Sequence, residues 1–203
     1  MKLFFSPTSP YVRKCMAVAC ELQLDDQIEL LPSSAHPINR DQTIIPSNPL
    51  GKVPTLVTGD GMALYDSRVI CEYLNALGKG DLFPASGAPR WEALTLQALG
   101  DGIMDAALLA RYEGFVRPEG MRWPEWQAGQ MDKIETSLRH LDQHPQALAS
   151  PLNIGQLTLG CALWYLGLRF PELDWKARFP ALAAGSQTFM QRTSMTKTWA
   201  MVA

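Results

Sequence analysis

Asn48-Pro49-Leu50-Gly51-Lys52-Val53-Pro54-Thr55-Leu56 is the stretch on which the reading of the fold turns. It runs into a short apolar segment, Thr55-Leu56-Val57, of the kind that forms a strand. A proline can open a strand, because the first strand residue need not donate to the ladder. The residue before a proline is steered to extended geometry. Val53 is therefore expected to be extended, with its backbone N–H and C=O free to pair with something outside the chain. A cis Val53–Pro54 bond would mark a tight turn. An extended backbone edge beside Lys52 is a dock for a small anionic peptide. An ordinary loop-to-strand junction reads the same way, so the neighbouring segments have to decide between the two.

Outward from this stretch, the first 80 or so residues alternate strand and helix. Residues 2–6 read as a strand and 10–22 as a helix, with Val12, Cys15, Met16, Ala19 and Cys20 at helical spacing. Residues 28–31 read as a second strand and 39–45 as a short helix. Strands at 55–57 and 62–65 are joined by Thr58-Gly59-Asp60-Gly61, a hairpin turn. Residues 67–77 form a helix with Val69, Ile70, Tyr73, Leu74 and Leu77 on one face. The order βαβαββα makes a small α/β domain on a mixed four-stranded sheet. Gly and Pro then concentrate between 78 and 89, which marks a linker. The division expected is 1–79 for the first domain, 80–88 for the linker and 89–203 for an all-helical domain.

In that second domain, helices are expected at 90–115, 126–144, 153–170, 178–192 and 195–201. The 153–170 helix is apolar on every side and is expected to be buried all round. Asn153 and Gln156 stand at its start with the spacing of a capping box.

With 203 residues and 47% hydrophobic content, the chain has enough apolar mass for one or two globular domains. The formal charge of −2 and the absence of a long basic run argue against nucleic acid as a main partner. No apolar stretch matches a signal peptide or a membrane span, so a cytoplasmic protein without a membrane partner is expected. The cysteines at 15, 20, 71 and 161 form no C-x-x-C pair and read as buried apolar residues. His140 and His144 share a helix face, but two ligands do not make a zinc site, so no metal is expected.

Three segments of the first domain fall where a strand ends or a helix begins. Ser9 precedes a helix whose first residue is Pro10. It reads as an N-cap, or as a hydroxyl aimed at a ligand above the helix N-terminus. Lys52-Val53-Pro54 supplies the extended edge. Asp66-Ser67 starts the next helix, where backbone N–H groups and a hydroxyl suit a carboxylate and Asp66 suits an ammonium; capping is the plain alternative. Together the three suit a zwitterionic tripeptide that carries a thiol.

The chain resembles bacterial glutathione S-transferases over essentially its full length. The matching motifs are Thr8-Ser9-Pro10-Tyr11-Val12-Arg13-Lys14, the 48–54 stretch, Asp66-Ser67, and Ala98-Leu99-Gly100-Asp101-Gly102-Ile103-Met104-Asp105-Ala106. The resemblance implies a thioredoxin-like N-terminal domain followed by an all-helical domain that supplies the electrophile pocket and the contacts of a homodimer. It implies a cis bond before Pro54, a Val53 backbone that pairs with the cysteinyl part of glutathione, and Asp66 and Ser67 at the γ-glutamyl end. Lys52 then lies near the glycine end. Where thioredoxin-like redox proteins carry Cys-Pro-Tyr-Cys, this chain has Ser9-Pro10-Tyr11-Val12, which removes dithiol exchange by that motif.

As in serine-type transferases, the Ser9 hydroxyl would hydrogen-bond the glutathione thiolate, with Thr8 as the substitute donor if the helix start is displaced. The implied activity is detoxifying conjugation of glutathione, as co-substrate, to a small apolar electrophile. Tyr11, Tyr112 and Phe115, with some of the tryptophans, are candidates for lining the electrophile's pocket. Asp101 and Asp105 lie on a helix that relatives use for dimer contacts, which would allow either to reach a partner subunit's glutathione; a solvated or capping role is the favoured alternative. Rival readings are a non-catalytic binding or regulatory protein of the same fold, and a glutathione-dependent peroxidase or isomerase. A deglutathionylating reductase would want a cysteine where Ser9 stands, with Cys15 the only one near.

Overall fold

A computed structural model describes residues 1–149 and 151–199. The chain divides into two compact units, Met1–Ala85 together with the segment from Arg192 onward, and Ser86–Gln191. In the first, β1 (Lys2–Phe5), α1 (Pro10–Glu21), β2 (Glu29–Pro32), β3 (Thr55–Val57), β4 (Ala63–Leu64) and α2 (Ser67–Leu77) run in the order βαβββα, the expected βαβαββα without its second helix. The sheet order is β2-β1-β3-β4, with β1 parallel to β2 and the other pairs antiparallel. Leu3 faces Leu56 across β1 and β3, and both are fully buried. Val12 of α1 and Ile70 and Leu74 of α2 complete this core.

The helix expected at 39–45 does not form; the segment is a series of turns. The Asp41 carboxylate takes the bonds a helix would need. It accepts from Thr43 N–H (2.9 Å) and the Thr43 hydroxyl (2.6 Å), and from the Ser33 hydroxyl (2.8 Å) and Ser34 N–H (3.0 Å). A short acceptor that satisfies nearby backbone donors competes with helix. These donors hold the Asp41 pKa far below the usual carboxylate range.

The second unit holds α3 (Gly87–Phe115), α4 (Pro124–Gln143), α5 (Ile154–Arg169), α6 (Trp175–Arg178) and α7 (Pro180–Met190). α5 is buried from Ile154 through Leu166. The capping box forms as expected: Asn153 Oδ1 accepts from Gly155 N–H (2.9 Å) and Gln156 N–H (3.3 Å), while Gln156 Oε1 accepts from Asn153 N–H (3.0 Å). α3 and α5 meet closely because two glycines remove side chains. A Cβ on Gly155 would lie 2.7 Å from the Ala93 carbonyl oxygen, and one on Gly100 would lie 2.8 Å from Thr158 Cγ2. The single helix expected at 178–192 is broken at Phe179-Pro180, where proline can begin a helix but not continue one. Among the described residues α3 alone has the length and apolarity to cross a bilayer. Here it packs against α4 and α5 and buries Asp101 and Glu113.

α8 (Thr193–Trp199) belongs with the first unit, although the sequence division placed everything from 89 onward in the helical domain. The reason lies in α1. Arg13 is 2% exposed, and a buried guanidinium needs acceptors. α8 supplies them: Arg13 Nη2 donates to the Met195 carbonyl (2.7 Å) and Nε to the Thr198 hydroxyl (3.1 Å). Arg192 forks onto the Glu21 carboxylate with two 2.9 Å bonds, the Ser194 hydroxyl donates to Glu21, and Lys197 pairs with Asp25. The last residues of the expected 195–201 helix lie outside the described residues.

Trp164 and Trp175 are buried, whereas Trp91, Trp123 and Trp126 are exposed; the Trp199 side chain lies outside the described ones. Cys15, Cys71 and Cys161 are buried and Cys20 is half-buried. Cys15 and Cys71 place their sulfurs 4.0 Å apart between α1 and α2. Asp101 is buried and not solvated, while Asp105 is exposed.

Candidate functional site

The sheet register gathers the three segments. Phe4 pairs with Thr55, and β3 and β4 pair Leu56 with Leu64. The C-terminal end of β1, the N-terminal end of β3 and the C-terminal end of β4 therefore lie at one end of the sheet. Ser9 follows the first, Val53-Pro54 precedes the second, and Asp66-Ser67 follows the third. α1 and α2 pack on each other, and the Cys15 thiol meets the Ser67 carbonyl at 3.9 Å, which ties the two helix starts together.

Ser9 is the N-cap of α1, with Pro10 as its first residue. Its Oγ accepts the Val12 N–H at 3.3 Å, and its carbonyl accepts the Arg13 N–H at 3.0 Å. A hydroxyl has two lone pairs and one proton. Capping uses a lone pair and leaves the proton to donate, so the cap and the thiolate donor are not exclusive roles. Thr8 and Tyr11 are half-buried beside it.

The Val53–Pro54 bond is cis. Pro54 is buried, Val53 half-buried and Lys52 exposed. No described residue hydrogen-bonds the Val53 backbone N–H or C=O. The loop is held by Asn48, which is 1% exposed. Asn48 Nδ2 donates to Thr55 Oγ1 (2.8 Å), its Oδ1 accepts from Leu50 N–H (3.0 Å), and the Thr55 hydroxyl donates to the Lys52 carbonyl (2.8 Å). Gly51 turns the chain at φ +60, and the Arg40 guanidinium lies against it while donating to the Pro49 carbonyl. Arg40 and Lys52 put two cations on this side of the site.

On the other side, Asp66 caps α2 by accepting the Arg68 N–H at 2.9 Å, and it is exposed. Ser67 is the first residue of α2 and is 3% exposed, so its N–H opens the helix from inside the site. A helix N-terminus with a carboxylate beside it can hold the two charges of an α-amino acid group. In the second unit Tyr112 is half-buried, its phenol pKa pushed up by burial, and Phe115 is exposed. The His140 and His144 rings lie 4.4 Å apart, tilted by 36°, and His144 Nδ1 lies 2.7 Å from the His140 carbonyl. No group of three or more metal-ligating side chains occurs among the described residues.

The family profile described as "Glutathione S-transferase, N-terminal domain" matches residues 8–77, and "Glutathione S-transferase, C-terminal domain" matches 124–184. The chain belongs to the glutathione S-transferase family. Among relatives of this transferase fold, the uncharacterized GST-like protein YibF of Escherichia coli K12 is 31% identical over 98% of both chains. A glutathione transferase family member from Pseudomonas fluorescens Pf-5, solved with bound glutathione, is 43% identical over 97% of both chains, with a TM-score of 0.94. The same family member solved with S-(propanoic acid)-glutathione is 42% identical over 98% of both chains, with a TM-score of 0.89.

Two kinds of residue in this transferase family member escape a sequence reading. Asn48 and Thr55 have no reactive group, yet they fix the loop that carries Lys52 and Val53; the cue is an Asn-Pro pair followed by glycine, which signals a tight turn. Arg13 and Lys14 sit within a recognised motif, but nothing in a charged pair announces that both are buried.

Proposed function

We propose that this chain is a serine-type glutathione transferase: it binds reduced glutathione at the sheet end, stabilises the thiolate with Ser9, and conjugates it to a small apolar electrophile. The observation that carries the reading is the gathering of Ser9, the unpaired Val53 backbone and the Asp66-Ser67 helix start at one end of one sheet. In this reading the cysteinyl unit of glutathione pairs with the Val53 N–H and C=O beside Pro54. The glycine carboxylate faces Lys52. The γ-glutamyl carboxylate takes the Ser67 N–H and hydroxyl, and its ammonium meets Asp66.

A free thiol has a pKa of about 8.5 and is mostly protonated at neutral pH. Donation from Ser9 and the α1 N-terminus favour the anion. The thiolate then attacks the electrophilic carbon; Ser9 itself attacks nothing. Tyr11, Tyr112 and Phe115 are proposed contacts of the electrophile. A cytoplasmic homodimer active in detoxification is the setting proposed. The relative solved with S-(propanoic acid)-glutathione supports a conjugate as product, since the propanoic acid is carried on the sulfur.

Isothermal titration with glutathione tests the binding half: no heat at millimolar ligand overturns it. A panel of electrophiles tests turnover. Strong binding with no conjugation of any of them makes the chain a binding protein of the same fold.

A further inference from the structure

Between Asn48 and Lys52 the chain turns, and a side chain from outside the turn holds it. Gly51 is buried at φ +60. A glycine that turns this way can also leave the left-handed region, because no Cβ restrains it. Asn48 braces the turn from the protein side, with its Oδ1 on the Leu50 N–H and its carbonyl on the Gly51 N–H (2.8 Å). Arg40 braces it from the solvent side. Its Nη2 donates to the Pro49 carbonyl, and Nε and Nη2 both lie 3.3 Å from the place a Cβ on Gly51 would take. Arg40 is exposed and the glycine beneath it is buried, so the guanidinium covers the turn.

The turns that replace the expected 39–45 helix fix Arg40 at its base. His36 Nδ1 accepts the Ile38 and Asn39 N–H groups (3.2 and 3.1 Å), the Arg40 N–H reaches the Ile38 carbonyl (3.1 Å), and the Arg40 carbonyl accepts from Gln42 Nε2 (3.1 Å). Arg40 forms no ion pair among the described residues. Ordering a long exposed side chain has an entropic cost. Here a charge-assisted bond to a carbonyl and packing on a bare glycine offset it.

We propose that Arg40 is a positioning residue of the glutathione site. It makes no contact with glutathione and acts through Pro49 and Gly51, which hold Lys52 and the Val53 backbone edge in the arrangement the peptide meets. This rests on the transferase reading above. A loop fixed in its bound conformation before the ligand arrives strengthens the binding of every ligand that uses it. A direct ligand would act on one group only, the glycine carboxylate that Lys52 faces in that reading. The two roles therefore differ in which parts of the peptide they affect.

The test compares glutathione with γ-glutamylcysteine, which lacks the glycine carboxylate, by calorimetric binding to the intact chain. Arg40→Ala should weaken both by the same factor, about three- to tenfold. Arg40→Lys keeps a donor for the Pro49 carbonyl but not the flat fork over Gly51, and should recover part of the loss for both ligands. Hydrogen exchange of ligand-free Arg40→Ala should be faster at the Gly51 N–H and unchanged at the amides of β1 and β3. A loss confined to glutathione makes Arg40 a direct ligand of the carboxylate and overturns the inference. Unchanged affinity for both ligands, or strand amides that exchange faster along with Gly51 in both variants, overturns it too. All these outcomes leave the transferase reading intact. If wild type binds neither ligand, the transferase reading falls, and this inference falls with it.

Discussion

Replacing Ser9 separates its cap from its proposed role as thiolate donor, because alanine and glycine differ in the first only. The cap bond from Val12 N–H is long, 3.3 Å, and half-buried. Its loss in Ser9→Ala should cost about 1 kcal/mol of folding stability. Glycine is a tolerable N-cap and costs only a few tenths of a kcal/mol at this position. Both lose the hydroxyl proton. A hydrogen bond to a charged group contributes about 1.5–3 kcal/mol, which corresponds to a rise of about 1–2 units in the pKa of bound glutathione. Ser9→Asp keeps a capping acceptor but sets a negative charge beside the sulfur, so its bound thiol should titrate highest of all.

Urea denaturation of the free protein reads the first effect, and ultraviolet titration of the bound thiolate reads the second. The expected pattern is a shared rise in thiol pKa for alanine and glycine, with the stability loss confined largely to alanine. If Ser9→Gly binds glutathione and its thiolate forms at the wild-type pH, Ser9 is a cap and nothing more. Thr8→Val is then the variant to measure.

Asn48→Ala should weaken glutathione binding by about tenfold and destabilise by about 2 kcal/mol, since it leaves Thr55 Oγ1 and Leu50 N–H without their buried partner; calorimetry and denaturation check the two. Arg13→Ala should cost about 3 kcal/mol in urea denaturation, because it removes the two buried bonds that tie α1 to the Met195 carbonyl and Thr198 hydroxyl of α8. Gly155→Ala should cost about 2 kcal/mol, because the new methyl group runs into the Ala93 carbonyl oxygen and forces α3 away. Burial works to raise the Glu21 pKa, but hydrogen bonds from Arg192 and Ser194 win and hold it below the ordinary 4.5. A depressed folded pKa gives stability that is complete above the ordinary value and lost as the pH falls through the folded one. The stability gap between wild type and Glu21→Gln should therefore be full above pH 4.5 and close in more acid solution.

Local chemistry made much of this fold legible. α2 occupies residues 67–77 as its periodicity indicates, because Asp66 caps it and its apolar face is regular. Ser9 with Pro10, and Asn153 with Gln156, mark their helix starts because the bonds they make span only three residues. Failures occur where a bond reaches further or a side chain competes with the backbone. Asp41 dissolves a helix that its neighbours favour. α8 joins the first unit through Arg13, at a separation no periodicity can report. The site is half legible in the same sense: Ser9, Val53 and Asp66 stand at element ends that the sequence marks. Asn48, which holds Val53 in place, shows its role only once its partner Thr55 is seen opposite.

The attachment of α8 to α1 has a consequence for biosynthesis. Domains made on a ribosome generally fold from the N-terminal end as they emerge. Here the first unit includes residues from Arg192 onward, so the acceptors for Arg13 are translated only after the whole helical unit. The second unit, Ser86–Gln191, is contiguous and can fold as soon as it is out. Until α8 arrives, the first unit lacks the Met195 and Thr198 acceptors of Arg13. A ribosome stalled before residue 192 would carry a folded helical unit and a first unit still without α8.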